Sequence, residues 1–192
     1  MASNNFRKSL RVILGFIGLL WAIRLLDFTL PIINFNELGI KPRSLSGLPG
    51  IMLSPLLHTD FGHLAANTMP LIVLLSLLVY TYPAKQRNRA IAFIIIIGSS
   101  LVWLFARDAI HVGASGLIYG LVAFLIAGGY YTRKLKSVLI AFVTFILYGG
   151  LSFGALPFLT SAEVSWEGHL FGAVAGFLTA RTMKTTLVNT GL

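Results

Sequence analysis

Ser115 stands between glycines in Gly113-Ala114-Ser115-Gly116, near the head of HVGASGLIYGLVAFLIAGGYY (111–131), a stretch with no Lys, Arg, Asp or Glu. A hydroxyl is a poor nucleophile until a base takes its proton, and a neutral imidazole does so best near ambient pH. His169, which opens HLFGAVAGF, can be that base. In His63-Leu64-Ala65-Ala66-Asn67 the four-residue spacing puts an imidazole and a carboxamide on one helical face. Both can donate hydrogen bonds. With the Ser115 amide they could stabilise the oxygen that turns negative when a carbonyl is attacked. Tyr119 follows Ser115 by four, beside a small-residue stripe of Gly116, Gly120 and Ala123; His169 is followed on its own face by Gly172 and Gly176. Such stripes let helix backbones approach closely in lipid. A Ser-His hydrogen bond, of about 2.6–3.2 Å, needs that approach.

Elements able to position these residues must cross a bilayer. The chain has 192 residues, 56% hydrophobic and 11% charged, and its mean hydropathy is +0.84, too apolar for an ordinary soluble domain. A span takes roughly 20 apolar residues. Apolar runs predict six, near 11–33, 62–82, 90–107, 115–131, 137–158 and 168–183, in one membrane domain over 1–192 with no room for a soluble one. The first run follows Arg7, Lys8 and Arg11 like a signal peptide, but no small-residue cleavage site follows it and Arg24 and Asp27 interrupt it, which predicts a retained helix. The long outer connection, 34–61, mixes Gly, Pro and Ser with Ile, Met and Leu and is expected to lie partly in the interface. With no Cys there are no disulfides or thiolate metal sites, and no metal or other cofactor is expected.

Charge then orients the chain. With both termini in the cytoplasm, Arg7, Lys8, Arg11, Lys85, Arg87, Arg89, Arg133, Lys134, Lys136, Arg181 and Lys184 lie inside, eleven of the fifteen basic residues. The other four are Arg24, Lys41, Arg43 and Arg107. The six acidic residues, Asp27, Glu37, Asp60, Asp108, Glu163 and Glu167, fall outside or near that end of a span. The net charge of +9 is thereby accounted for by attraction to anionic inner-leaflet lipid, and nucleic acid is not an expected partner. On this topology Ser115, His169, His63 and Asn67 share one depth near the outer face, where polar groups are costly unless they line a common site.

Each feature has a plainer reading. Ser in membrane helices often serves as interhelical glue and Gly-x-x-x-Gly as packing. His58 and His111 read as loop or rim residues, with His58 placed to brace the pocket. Arg24 and Asp27 read as a local ion pair, and Trp21, Trp103 and Trp166 as interfacial anchors or packing residues. Three polar motifs, each opening or lining a separate span on one side, outweigh these readings.

HTDFGHLAAN (58–67), GASGLIYG (113–120) and GHLFGAVAGF (168–177) resemble, in order and spacing, the three signatures of the rhomboid intramembrane serine proteases, and the likeness runs from about 55 to 180. It implies an all-α bundle of six transmembrane helices in a prokaryotic cell membrane, with the site toward the outer side. It further implies Ser115 as nucleophile, His169 as base, and His63 and Asn67 with the Ser115 amide as oxyanion donors. Tyr119 matches the aromatic residue that packs on the catalytic imidazole in that family. Transmembrane proteins would be the substrates, entering sideways from lipid past a gate made of the fifth span and the loop near Trp166, with Tyr148-Gly-Gly-Leu-Ser-Phe-Gly-Ala-Leu-Pro157 allowing movement. The first loop departs from the pattern, lacking the Trp-Arg pair of many bacterial members. No acidic residue has an obvious place as a third member, since Glu167 would point elsewhere, so a Ser-His dyad is expected.

Two other readings compete. A catalytically silent, client-binding relative would most simply have lost Ser115 or His169, and both are present. A transporter would need polar residues continuing inward, yet the fourth and sixth spans are almost wholly apolar below the cluster. Oligomeric state, substrate identity and cleavage-site preference have no signal in the sequence.

Overall fold

The computed structural model describes residues 2–30, 34–156 and 164–190. Its helices are α1 (Ala2–Thr29), α2 (Gly50–Leu53), α3 (Phe61–Thr81), α4 (Ala84–Phe105), α5 (Ser115–Thr132), α6 (Leu135–Tyr148), α7 (Trp166–Thr182) and α8 (Lys184–Thr190). Four are long and apolar enough to cross a membrane: α1 from Arg7, α3, α4 and α5. With 14 and 17 residues, α6 and α7 are shorter than a standard span.

Several boundaries differ from the expected ones, for local reasons. The first helix stops at Thr29 rather than 33, because the residue before Pro31 is pushed out of the helical region. The third expected span begins at Ala84, six residues early. Its charged first turns, with Lys85, Gln86, Arg87 and Arg89, are good helix formers, so the helix starts before the apolar run does. The fifth gives up α-geometry at Gly149 and tightens into 3-10 turns over Gly149–Ala155, where two adjacent glycines weaken helix propensity. Pro157 and Glu163 lie outside the described residues.

α5 is the central strut. Phe124, Leu121 and Leu125 on it are shut away from solvent together with Leu71, Leu74 and Leu78 of α3, Ile94 of α4 and Leu20 of α1. α5 packs most extensively against α7, and α4 also leans on α7. The outer surface is apolar too: Val12 on α1 is 72% exposed and Phe142 on α6 61%. A lipid-facing bundle needs such a surface, because packing rather than hydrophobicity holds its helices together.

The 34–61 connection is folded and tied down. Ile40 and His111 form an antiparallel bridge through N···O bonds of 3.0 and 2.9 Å. The Arg43 amide donates to the Trp103 carbonyl (2.9 Å), the Trp103 indole to the Ser44 carbonyl (2.9 Å), and the Gly113 amide to the Ser54 carbonyl (2.9 Å). The loop is thus pinned to the segment that leads into α5.

Candidate active site

Ser115 is the first residue of α5. A first-turn amide has no acceptor within its own helix, so the Ser115 N–H points out of the helix end, where the macrodipole favours negative charge. Gly113 turns the chain into this position at φ +117°, a conformation that L side chains rarely adopt. A Cβ there would also lie 2.7 Å from His63 Cε1, 2.9 Å from His63 Nε2 and 3.8 Å from Ser115 Oγ. Gly113 therefore lets the Nε2 edge of His63 and the serine hydroxyl flank one spot.

α7 brings His169 to the same end. The two helices meet through glycines. A Cβ on Gly172 would fall inside the Gly116 carbonyl, and one on Gly176 inside the Gly120 carbonyl, while a Cβ on Gly116 would come within 3.2 Å of the Gly168 oxygen. Tyr119 lies one turn below Ser115, and its ring stacks on the His169 imidazole at 4.2 Å and 5°. Long helical side chains lean toward the N-terminus, so this stack puts His169 on the Ser115 side of α5, although no hydrogen bond joins Ser115 Oγ to His169 among the described residues. The Gly154 carbonyl lies 2.7 Å from His169 Nδ1. A carbonyl can only accept, so the proton sits on Nδ1 and the neutral ring keeps its Nε2 lone pair. Residue 154 lies in the glycine-rich run that sequence reasoning marked for mobility. Its orienting role went unseen because a backbone carbonyl has no sequence signature.

On α3, Asp60 caps the helix by accepting from the His63 amide at 2.8 Å. Its carboxyl is held below the usual range by hydrogen bonds from that amide and from the Thr59 hydroxyl. Thr59 Oγ1 lies 2.9 Å from Asp60 Oδ2 and 3.2 Å from His63 Nδ1. Asn67, one turn on, is buried, and its Nδ2 makes no hydrogen bond among the described residues. A buried amide donor left without a partner is costly and is what an incoming oxygen would satisfy. His58 is buried with its ring edge-on to His63 at 5.2 Å; burial first, then the neighbouring His63, push its pKa down to about 4.

His111 stands in the α4–α5 loop, as its loop reading has it, but is buried rather than at a rim. Its Nε2–H donates to the Arg107 carbonyl (3.1 Å) and its Nδ1 faces Ser165 Oγ at 2.7 Å. Ser165 in turn caps α7 by accepting from Gly168 N at 3.1 Å. Burial lowers the His111 pKa. Glu167 turns away from His169 to an ion pair with Arg107 at 3.5 Å. Arg24 and Asp27 form an ion pair, and Asp27 also accepts from the Phe35 amide at 2.9 Å. A cavity of about 40 Å³ beside Ser115 is lined by Ser54, Ser99, His111, Ser165 and Gly168 among others. Most of its wall is apolar, including Ile40, Ile94, Val102 and Leu117, but the serine hydroxyls and His111 give a water that fits there hydrogen-bond partners. No cluster of three or more His, Asp or Glu side chains suited to a metal occurs among the described residues.

Fold and site together define a helical membrane protein with a serine, two imidazoles and a carboxamide gathered at one end. A sequence model of the Rhomboid domain matches residues 47–185, and the chain belongs to the rhomboid family. It is 40% identical over 175 residues to "Uncharacterized protein Rv1337" of Mycobacterium tuberculosis, covering 88% of this chain and 72% of that one. It is 35% identical to "Uncharacterized protein ML1171" of Mycobacterium leprae over 88% and 68% of the two chains. Similarity is weaker, 26% over 92% of each chain, to "Putative rhomboid protease YdcA" of Bacillus subtilis. No solved structure gives a significant match.

Proposed function

We propose that this protein is an intramembrane serine endopeptidase that cleaves transmembrane segments near the outer face of a bacterial cell membrane, with Ser115 as nucleophile and His169 as base. The observation that carries the reading is the state of His169. Its ring is clamped by Tyr119 and by the Gly154 carbonyl, which leaves Nε2 unprotonated on the helix packed against the start of α5. A dyad needs no carboxylate when a carbonyl already fixes the tautomer.

In this mechanism His169 Nε2 takes the Ser115 proton as Oγ attacks the scissile carbonyl. The oxygen, now negative, receives hydrogen bonds from the Ser115 amide, Asn67 Nδ2 and His63. On collapse His169 returns the proton to the leaving amine, and the acyl group stays on Oγ. Water then repeats the sequence with His169 as base; the cavity beside Ser115, which carries the hydroxyls of Ser54, Ser99 and Ser165 on a mostly apolar wall, supports a supply from that side. A helical substrate must unwind locally first, because its peptide groups are hydrogen-bonded and shielded. α6 packs mainly on α5 and only lightly on α3, which supports entry between α3 and α6. α6 with its 3-10 extension, and α7, supply the fifth and sixth spans of a single domain whose termini both lie inside.

The deciding experiment incubates reconstituted protein with a panel of fluorescent transmembrane peptides. Wild type is expected to cleave at least one and Ser115→Ala none. Cleavage by Ser115→Ala would exclude Ser115 as nucleophile, and binding without cleavage by wild type would favour the client-binding reading.

A further inference from the structure

The Thr59 hydroxyl has one proton and two neighbours that could accept it: Asp60 Oδ2 at 2.9 Å and His63 Nδ1 at 3.2 Å. The carboxylate is the shorter and charged partner, and charge-assisted hydrogen bonds are about twice as strong as neutral ones. Thr59 therefore donates to Asp60, and its oxygen accepts from His63 Nδ1–H. A neutral imidazole has only one N–H. With that proton on Nδ1, the Nε2 edge beside Gly113 and Ser115 presents a lone pair, which would repel an oxyanion.

We infer that Asp60 and Thr59 are positioning residues for His63: they hold its proton on Nδ1, so that His63 donates to the oxyanion only when a second proton occupies Nε2. The inference rests on the reading of His63 as an oxyanion donor. The second proton comes from solvent, which reaches this half-buried ring and the exposed Thr59 and Asp60. The one bond formed on His63 is this Nε2–H, broken from a hydronium or other solvent acid; the imidazolium and the oxyanion then pair through it and later separate.

The other groups that act on this site are few. His58 stays neutral above its value of about 4, Arg24 of α1 acts on His58, and His169 of α7 feels the charge of His63. His169 must be unprotonated and His63 protonated, so kcat/KM passes through a maximum. Above the His63 titration it falls about tenfold per pH unit.

Asp60→Asn separates this arrangement from a merely structural one. Asn caps helices as well as Asp, so its oxygen keeps the His63 amide. Its NH2 then faces Thr59 as a donor. The threonine proton must turn to His63 Nδ1, which moves the ring proton to Nε2 and lets neutral His63 donate.

The test uses full-length protein labelled with 15N-histidine in detergent micelles, with His63 signals assigned by their loss in His63→Gln. At pH 8 wild type and Thr59→Ser should show the Nδ1–H tautomer, and Asp60→Asn the Nε2–H tautomer. Thr59→Val should lose the Nδ1–H preference. With a cleavable transmembrane peptide, the basic limb of wild type should vanish in Asp60→Asn, whose kcat/KM stays within about twofold from pH 7 to 9. An Nε2–H tautomer in wild type, a tautomer unmoved by Asp60→Asn and Thr59→Val, or the same basic limb in wild type and Asp60→Asn would overturn the relay. The Nδ1–H tautomer with no cleavage at any pH would instead support the relay while overturning the protease reading.

Discussion

Asn67 is the residue whose role reads most directly from its surroundings. Its amide nitrogen is buried and lacks a hydrogen-bond partner among the described residues, so it contributes little to the fold that a smaller side chain would forfeit. If it donates to the transition state, Asn67→Ala should lower kcat by about 100- to 1,000-fold, while the melting temperature in detergent moves little. Thermal unfolding and peptide cleavage on the same preparation check this. Equal loss of stability and turnover would assign Asn67 to the fold alone. His169 behaves differently, because its partners are already in place: Tyr119 and the Gly154 carbonyl hold the ring before any substrate arrives.

At the scale of elements, the approach of α5 to α7 rests on missing side chains. Gly116 and Gly120 face Gly172 and Gly176 so closely that a single methyl on either α7 glycine meets backbone, which cannot swing aside. Gly172→Ala must therefore separate the helices, and overpacking of this kind costs about 1–3 kcal/mol. A displacement of about 1 Å at reacting groups can cost roughly 100-fold in rate. Gly172→Ala should thus cleave a transmembrane peptide about 100-fold more slowly than wild type without altering any group proposed to react. Gly15→Ala on α1, where a Cβ would meet nothing within 4 Å, should be silent. If the two variants cleave equally fast, the α5–α7 contact does not set the Ser115–His169 geometry.

At the scale of the molecule, charge separates the two ends. Among the basic residues expected outside, Arg24 pairs with Asp27, Lys41 with Glu37 at 2.7 Å and Arg107 with Glu167, while Arg43 donates to the Ala106 carbonyl at 2.7 Å. The cations expected inside include Arg89 and Lys136, which lie over the rings of Phe93 and Tyr80. The positive-inside rule counts Lys and Arg rather than net charge, so it is the larger number of cations at the end with Arg89 and Lys136 that predicts a cytoplasmic position for that end. Because the chain has no Cys, single cysteines report sidedness cleanly. In intact cells a membrane-impermeant maleimide should label Ser46→Cys and leave Lys134→Cys unlabelled until the membrane is opened. The reverse pattern would invert the proposed topology.

The sequence by itself determined the class of molecule and offered the residue types of the proposed site, because both are written in local pattern: apolar runs of span length, a serine between glycines, an imidazole and a carboxamide one turn apart. It also carried the family, through motifs whose order survives without any knowledge of distance. It did not determine how the fifth span ends, since Gly149 and Gly150 can continue a helix, tighten it or break it, and only their neighbours choose. Nor could it show that the Gly154 carbonyl holds His169, that His111 and Ser165 join the α4–α5 connection to α7, or that Thr59 stands between Asp60 and His63. A carbonyl belongs to every residue and a hydroxyl's partner depends on distance. Those assignments belong to the tertiary structure because hydrogen bonding acts over about 3 Å, and only folding brings residues 15 or 54 positions apart to that distance.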